Sequence, residues 1–595
     1  MEIVFQLVVQ RVAVLSFHTS PLAQPGSGVY RSEDAGVTWR YLNTYNNRPF
    51  YYSQIRINPV DDSKVYLLTT RFMVSTDGGT TFANGSEDEE VHGDFHAMWL
   101  DPTDEDRYYL GMDKGAGLTH DGGQAFLLYD NLAIGQYYRI GVDMRDPYHV
   151  YGGLQDNGSF AGPSFTREAR GVLNDDNWKM HWGDGQDVQI DPTNWRKVYT
   201  SAEGGSFRTL DPVTRRFGGS PPERSNILNY GDRERSLRFN WSAPLVMSPH
   251  DPGVIYLGGN YLFRTDNGGD TWRIISPDLT TDDSSKWNRR HGGLTPDNSG
   301  AEMHATATTV AESPVVAGVL WVGTDDGNVQ VTRDGGRTWT NVRSQLEGVV
   351  PANTWVDRIE PSRFDPGTAF VVFDGHRQNR FDPWIFRVTD YGKTWTALGA
   401  GLPEGEVVHV VRQDPTNPAL LFAGTEFGVW GTLDGGRTWH RLGAGFPTVA
   451  VQDLVIHPRD RDLIAATHGR SLWILDDITA LEQLIPETAD QAAYLFDQRP
   501  ATLWQNRSRG GQRGHFWFGG GNPPGFAAVG PLPRAPARSL AVVTFWLREW
   551  PAAGAVLEIA SRDGSKKRTI ALEPGEGLLR IGGVDRRPWP QRRAL

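Results

Sequence analysis

Apolar and polar positions alternate in short runs along most of the chain, and the runs end in Pro, Gly, Asn or Asp. A period of two with such punctuation predicts half-buried strands joined by tight turns, and the absence of Leu/Ala-rich heptads predicts little helix. The runs come in pairs: an alternating strand, a turn holding Pro, then a more apolar strand. Examples are "SQIRINPVDDSKVYLL", "FHAMWLDPTDEDRYYLG", "VQIDPTNWRKVYTS", "LVMSPHDPGVIYLGG", "TVAESPVVAGVLWVG", "VVRQDPTNPALLFAG" and "DLVIHPRDRDLIAAT". A polar box follows many of these pairs. Its copies, "SEDAGVTW", "STDGGTTF", "THDGGQAF", "TDNGGDTW", "TRDGGRTW", "TDYGKTW" and "TLDGGRTW", share the pattern Ser/Thr-x-Asp-x-Gly-x-Thr-Trp/Phe, with Asn267 once replacing Asp and Ala125 once replacing Thr.

The chemistry of the box is that of a turn. Asp accepts hydrogen bonds from backbone N–H groups ahead of it, Gly supplies positive φ, and the aromatic packs between neighbouring sheets. Asp34, Asp77, Asp334, Asp390 and Asp434 are therefore expected to be interchangeable scaffold. A forty-odd-residue spacing, as from Asp34 to Asp77 and from Asp390 to Asp434, suits a four-stranded propeller blade: strand A, Pro turn, strand B, short loop, strand C, box, strand D. A strands fall near residues 53, 95, 138, 186, 243, 305, 356, 407 and 451, after a half unit, "GVYRSEDAGVTWRYL", that carries C and D alone. The boxes have decayed in "VYGGLQDNGSF" and "VYTSAEGGSFRTLDPVTRRF".

The predicted fold is all-β. It has one complete seven-bladed propeller at 138–480, remnant blades of a first propeller at 28–137 and a partial β-sandwich at 540–595. An atypical segment at 1–27 and a Gly/Pro/Arg-rich linker at 481–539 complete the chain. A single ten-bladed ring satisfies the same count of units.

Composition narrows the function classes. A net charge of −12 without a basic stripe argues against nucleic-acid binding. Zero cysteines exclude disulfides, thiolate metal sites and a Cys nucleophile. The apolar start is interrupted by Gln6, Gln10 and Arg11, a poor signal peptide, and no later run reaches membrane-spanning length. No phosphate loop, nucleotide fingerprint or Ser-His-Asp elbow is present, so no cofactor is expected.

The stretches "RPFYYSQIRINP", "HGDFHAMWLDP", "YGGLQDNGSF", "RFNWSAPLVMSPHDP", "GVLWVGTDDGNVQVTRDGGRTWTNV", "FDGHRQNRF", "LLFAGTEFGVW" and "HPRDRDLIAATHGRSLWILDD" resemble bacterial Asp-box (BNR) repeat propellers of the sortilin N-terminal-domain-like and glycosyl-hydrolase-like kind. The resemblance spans about residues 28–500, with an echo in "FWFGGGNPPGFAAV". It extends to tandem seven-bladed xyloglucanases and implies an extracytoplasmic protein with further blades ahead of this point. Residues 1–27 depart from it: "RVAVLSFHTSPLAQPGSG" is similar to the first strand and loop of actinobacterial glycosyltransferases, as a fused gene would be. One strand of a nucleotide-binding fold binds no nucleotide alone.

In a propeller the B–C loops and the starts of the A strands share one face, opposite the boxes, and ligand groups belong there. The unrepeated polar residues of those segments are Gln155, Asp156, Asn157, Asp184, Asp187, Glu203, Asn240, Trp241, His304, Asp325, Asp326, Asp357, Arg358, Asp374, His376, Arg377, Glu426, Asp453, His468 and Arg470. Such a ring suits a carbohydrate, with tryptophans to stack on sugar faces and carboxylates to accept hydroxyls. The ligand-binding candidates are Gln155, Asp156, Asp187, Trp241, His376, Arg377, His468 and Arg470.

Glycoside hydrolysis needs two carboxylates about 5 Å apart for retention, or roughly 6.5 to 9.5 Å for inversion. The resemblance to xyloglucanases implies acids in Thr-Asp-x-Gly-Gly-like B–C loops. Their nearest counterparts here are Asp325 and Asp326 in "GTDDGN", Glu426 in "GTEFG" and Asp184 in "GDGQD". Loop stabilisation is the alternative for each. In "HGDFH", strand geometry would bring His92, Asp94 and His96 to one face, a spacing that could ligate a metal; a hydrogen-bonded cluster is the commoner use of it, and no metal ligand is assigned. Two functions remain: a glycan-acting propeller, catalytic or not, with a polysaccharide partner, and a non-catalytic scaffold for protein or peptide ligands.

Overall fold

The computed structural model of the protein describes residues 13–17, 28–45, 54–86, 91, 93–129, 132–166, 172, 174–222, 226–227, 237–286, 303–443, 445–500, 542–575 and 577–582. The chain divides into two compact units, residues 1–134 with 283–304, and residues 135–282 with 305–595.

The larger unit contains seven antiparallel sheets, here blades I to VII. Their innermost strands are Tyr137–Val142, Gly185–Ile190, Leu245–Met247, Ala307–Glu312, Trp355–Pro361, Val408–Gln413 and Val451–Ile456. Each pairs outward with strands B and C in chain order, and blades I to VI add a D strand. Blade VII has three strands among the described residues, and blade III gains a fifth, Asn226–Ile227, parallel to its D strand. The B strands are mostly apolar because both faces are covered: Leu320–Thr324 and Leu421–Thr425 are buried at every position. Blade V packs Val356, Ile359 and Phe373 on Trp321 and Val331 of blade IV, and presents Phe370 and Val372 to Val408 and Leu421 of blade VI.

The inner strands contact one another in order, and that of blade I returns to that of blade VII, so the ring closes after seven sheets and not ten. Apolar packing at this seam joins Tyr137, Ile140, Tyr148 and Val150 to Ile464, Ala466 and Leu472. Polar bonds reinforce it. Ile140 N donates to Asp453 Oδ2 at 3.1 Å, Tyr148 O–H to Asp462 Oδ2 at 2.9 Å, and Gly469 N to Gly135 O at 2.8 Å.

The boxes behave as turn chemistry requires. In blade IV, Thr338 N donates to Asp334 Oδ1 (2.9 Å), Thr338 Oγ1 to Asp334 Oδ2 (2.7 Å) and Gly336 N to Thr332 Oγ1 (3.1 Å). Gly336 has φ +96, and a Cβ there would lie 2.2 Å from Ile275 O of blade III. Trp339 Nε1 donates to that same carbonyl at 3.1 Å, so the box also joins neighbouring blades. Asn267 reproduces the pattern with an amide. Asp390 does not: its box is one residue shorter and Asp390 itself takes positive φ (53°), although Tyr391 N keeps the bond to Gly367 O that Gly335 N makes to Gly318 O in blade IV. The expectation that Asp390 is equivalent to Asp334 is corrected accordingly.

Among its described residues the smaller unit holds three sheets. Two are four-stranded, with inner strands Gln54–Ile57 and Phe95–Leu100. The third joins Gly28–Ser32 and Arg40–Asn43 to Ala13–Phe17, which pairs antiparallel with Gly28–Ser32. The half unit expected to have C and D alone therefore gains a third strand from the atypical N-terminal segment, which satisfies backbone groups that an open edge would leave unpaired. After blade VII, the larger unit adds Ala493–Leu495, Val542–Leu547 and Gly577–Gly582 as one antiparallel sheet, and Val556–Ala560 with Lys567–Ala571 as a hairpin. The Gly/Pro-rich part of the linker and the "FWFGGGNPPGFAAV" echo lie outside the described residues.

Candidate functional site

Six of the seven inner strands of the larger unit, all but that of blade III, share an irregularity that aims side chains. Along the A–B ladder one residue is passed over at Tyr138 in blade I, Thr308 in blade IV, Asp357 in blade V, His409 in blade VI and Gln452 in blade VII. In blade II, Gln186 and Asp187 together face Ser201 alone. A β-bulge leaves its extra residue unpaired and turns it out of the pleat. Five bulge residues line a single cavity of about 220 Å³, Tyr138, Thr308, Asp357, His409 and Gln452. Arg139, Ser242 and Trp355 join them from the starts of the inner strands, and Gln155, Asp374, His376, Arg377 and His468 from the B–C loops.

The electrostatic centre of the cavity is His409, which is buried. Its Nδ1 lies 3.1 Å from Asp357 Oδ2 and its Nε2 lies 2.9 Å from Glu426 Oε2. Burial alone would lower the imidazole, but the Asp357 and Glu426 carboxylates outweigh it and hold it up at about 10. Glu426 is depressed in turn, chiefly by its bond to His409. Asp374 is buried, which would raise it, yet His376 keeps it low: the His376 ring Nδ1 lies 2.6 Å from both carboxylate oxygens and its backbone N–H donates at 2.9 Å. The Arg377 guanidinium lies 4.0 Å from the centre of the Trp355 ring, and Tyr138 packs against His468, which burial pushes down.

Beneath the cavity the axis carries a second, buried layer of charge. Arg358 and Arg412 both donate to Asp453 Oδ1, at 3.1 and 2.8 Å, and Arg412 also reaches Glu360 at 2.7 Å. Asp187 belongs here: its Oδ2 accepts from Leu245 N of blade III at 3.1 Å, and burial raises it.

The structure thus gathers Gln155, Asp357, Asp374, His376, Arg377, Glu426 and His468 of the expected residues. Asp325 and Asp326 lie elsewhere and are nearly inaccessible, at 2 % and 3 % exposure. Asp325 accepts from Thr306 N (2.9 Å) and Thr306 Oγ1 (2.6 Å), and burial pushes it up to about 7. Asp326 accepts from Thr281 N and Oγ1, both at 2.7 Å, and from Thr324 Oγ1 at 2.5 Å. These bonds give both aspartates a structural part in pinning loops. Asn240 shares it, through Thr306.

Asp184 forms a separate cluster. It accepts from Asp156 N, its own N–H donates to Glu203 Oε2 at 2.8 Å, and Gly204 N donates to the Trp241 carbonyl at 3.1 Å. Burial raises Asp184 to about 6 and raises Glu203 as well. Arg470 is exposed, its N–H capping Thr467 Oγ1. In the smaller unit, His92 lies outside the described residues, Asp94 has φ 63, and His96 is held at 2.7 Å by Asp113. Sequence reasoning missed Tyr138, Thr308, Trp355, His409 and Gln452. Aligning the units at the second residue of each A strand would have placed all but Trp355 in one column.

No protein-family profile matches the chain, and no curated protein matches it. Among solved structures it is similar to the extracellular domain of a B. thetaiotaomicron protein described as a hybrid two component system. That likeness has 11% identity over 98% of this chain and 71% of the other, with TM-score 0.41. A GH74 enzyme of Niastella koreensis matches at 14% identity over 78% of this chain and 75% of that one, with TM-score 0.26. The GH74 xyloglucanase of Xanthomonas campestris matches at 12% identity over 78% of each chain, with TM-score 0.23. The fold assignment rests on the sheets and the ring closure, and these likenesses assign no activity. Among the described residues no helix is long and apolar enough to cross a membrane.

Proposed function

We propose that the larger unit binds a carbohydrate end at the mouth of its ring. The observation that carries this reading is the convergence of bulge residues from blades I, IV, V, VI and VII on one cavity of about 220 Å³. The cavity offers what a sugar ring requires: aromatic walls in Tyr138 and Trp355, amide and hydroxyl groups in Gln155, Gln452 and Thr308, and carboxylates that accept hydroxyl protons. The buried charge layer under it forms a floor, so the ligand enters from the B–C loop side. An extracytoplasmic setting, with polysaccharide as partner, belongs to the same reading.

The test is a glycan array followed by calorimetry on the full chain. Trp355→Ala should weaken retained glycans about tenfold, the equivalent of about 1.4 kcal/mol. Absence of any retained glycan, or equal affinity in the variant, would sink the proposal; capture of peptides alone would favour the scaffold function.

One observation favours hydrolysis as a second reading. Asp184, held at about 6 by burial beside Glu203, is a carboxyl able to give a proton near neutrality. Cleavage would then centre on Asp184 and Glu203, and would show as a reducing-end signal lost in Asp184→Asn.

A further inference from the structure

Two carboxylates and an imidazole converge at the mouth of the ring. One oxygen each from Asp357 and Asp374 and a ring nitrogen of His409 lie within 4.8 Å of one another. Within the group, His409 Nδ1 and Asp357 Oδ2 stand 3.1 Å apart. Bonds of about 2.1 Å to a common ion place neighbouring ligand atoms roughly 3 to 3.5 Å apart. The supports around these groups have the arrangement that orients metal ligands. His409 turns its other nitrogen, Nε2, to Glu426 Oε2 at 2.9 Å, so that Nδ1, beside Asp357 Oδ2, is the nitrogen an ion would take once its proton is given up. A carboxylate on the far nitrogen is the usual means of fixing a ligating histidine's tautomer. Asp374 is held in the same manner by the backbone N–H and ring of His376.

The geometry points to a divalent cation site formed by Asp357, Asp374 and His409, with Glu426 and His376 as the groups that orient the ligands. One nitrogen and two anionic oxygens suit a first-row ion of the zinc class; magnesium and calcium prefer oxygen alone. On uptake of the ion, Nδ1 releases any proton it carries to solvent. The remaining coordination positions face the cavity, where water or a ligand oxygen completes the shell. The three ligands come from two adjacent blades: Asp357 and Asp374 are the third and last residues of the A and B strands of blade V, and His409 is a bulge residue of blade VI. This site does not depend on the occupant of the cavity being a sugar.

The test uses the full chain, stripped with a chelator and titrated with Co²⁺ in the absence of any glycan. The expected result is one equivalent of Co²⁺ with the intense visible bands of a four- or five-coordinate ion, displaced by Zn²⁺. His409→Ala should abolish the bands, and Asp374→Asn should weaken binding at least tenfold. Glu426→Gln lies at a half-exposed position outside the ligand set and should fold normally by circular dichroism while weakening the ion about 10- to 100-fold. A spectrum that stays that of hydrated Co²⁺, or equal affinity in His409→Ala and Glu426→Gln, overturns the site. Because no glycan is present, neither result bears on the carbohydrate reading.

Discussion

Asp326 and Asp334 show how far one residue type is divided by its surroundings. Asp334 is half-buried and accepts O–H and N–H groups of its own turn; Asp326 is buried and fastens Thr281 of a distant loop. Its neighbour Asp325 has both oxygens committed to Thr306 in a dry site. Removing that carboxylate strands a buried backbone donor, a loss of about 1–3 kcal/mol. Asp325→Ala should therefore lower the urea midpoint by a corresponding amount while leaving glycan retention at the axis unchanged below the unfolding transition. Loss of retention in a folded Asp325→Ala protein would return this residue to the site.

At the scale of the element, the box hairpins set the response to acid. The Asp34, Asp77, Asp334 and Asp434 carboxyls are held at about 2: in Asp434 burial is the largest single effect and would raise it, but there as in the others the side-chain and backbone donors of the turn together outweigh burial. The unfolded value is about 3.9, so the folded state binds protons less readily. Their contribution to stability is complete above about pH 4 and disappears as pH falls toward 2. Thermal midpoints should drop over that interval, and the drop should shrink in Asp434→Asn, since Asn267 shows that an amide can hold the same turn. These elements were legible beforehand because turn chemistry is local: Asp, Gly, Thr and Trp at fixed offsets make their bonds within a few residues. The Asp390 box escaped that logic by a deletion of one residue, which puts the aspartate itself at positive φ.

The bulges were not legible, because a bulge is a mismatch of register with another strand. His409 stands in "EVVHVVRQ", an apolar run in which a lone histidine gives no sign of facing Asp357 of the preceding blade. Conversely, "GTDDGN" reads as an exposed loop, and only the packing of Thr281 and Thr306 over it reveals that both aspartates are enclosed.

At the scale of the molecule, seven sheets are held as a ring by the seam between blades I and VII and by the charge layer on the axis. Asp453 serves both, accepting from Ile140 N across the seam and from Arg358 and Arg412 on the axis. Removing one partner of a buried ionic group leaves the others uncompensated, at a cost of about 3–5 kcal/mol. Asp453→Ala should accordingly open the larger unit first, seen as faster hydrogen exchange in Tyr137–Val142 and Val451–Ile456 than in the blades opposite. Uniform acceleration around the ring would show that the seam is not its weak point.

The seam also fixes an order of events in time. Ile140 and its acceptor Asp453 are separated by 313 positions in the chain. At about 5–20 residues per second, a ribosome needs roughly 15 to 60 seconds to deliver the second after the first. For that interval the flank of blade I that carries Tyr137, Ile140 and Val150 has no partner of its own, and every new strand emerging from the ribosome is a competitor for it. The last blade to be synthesised is thus the one that ends the vulnerability of the first.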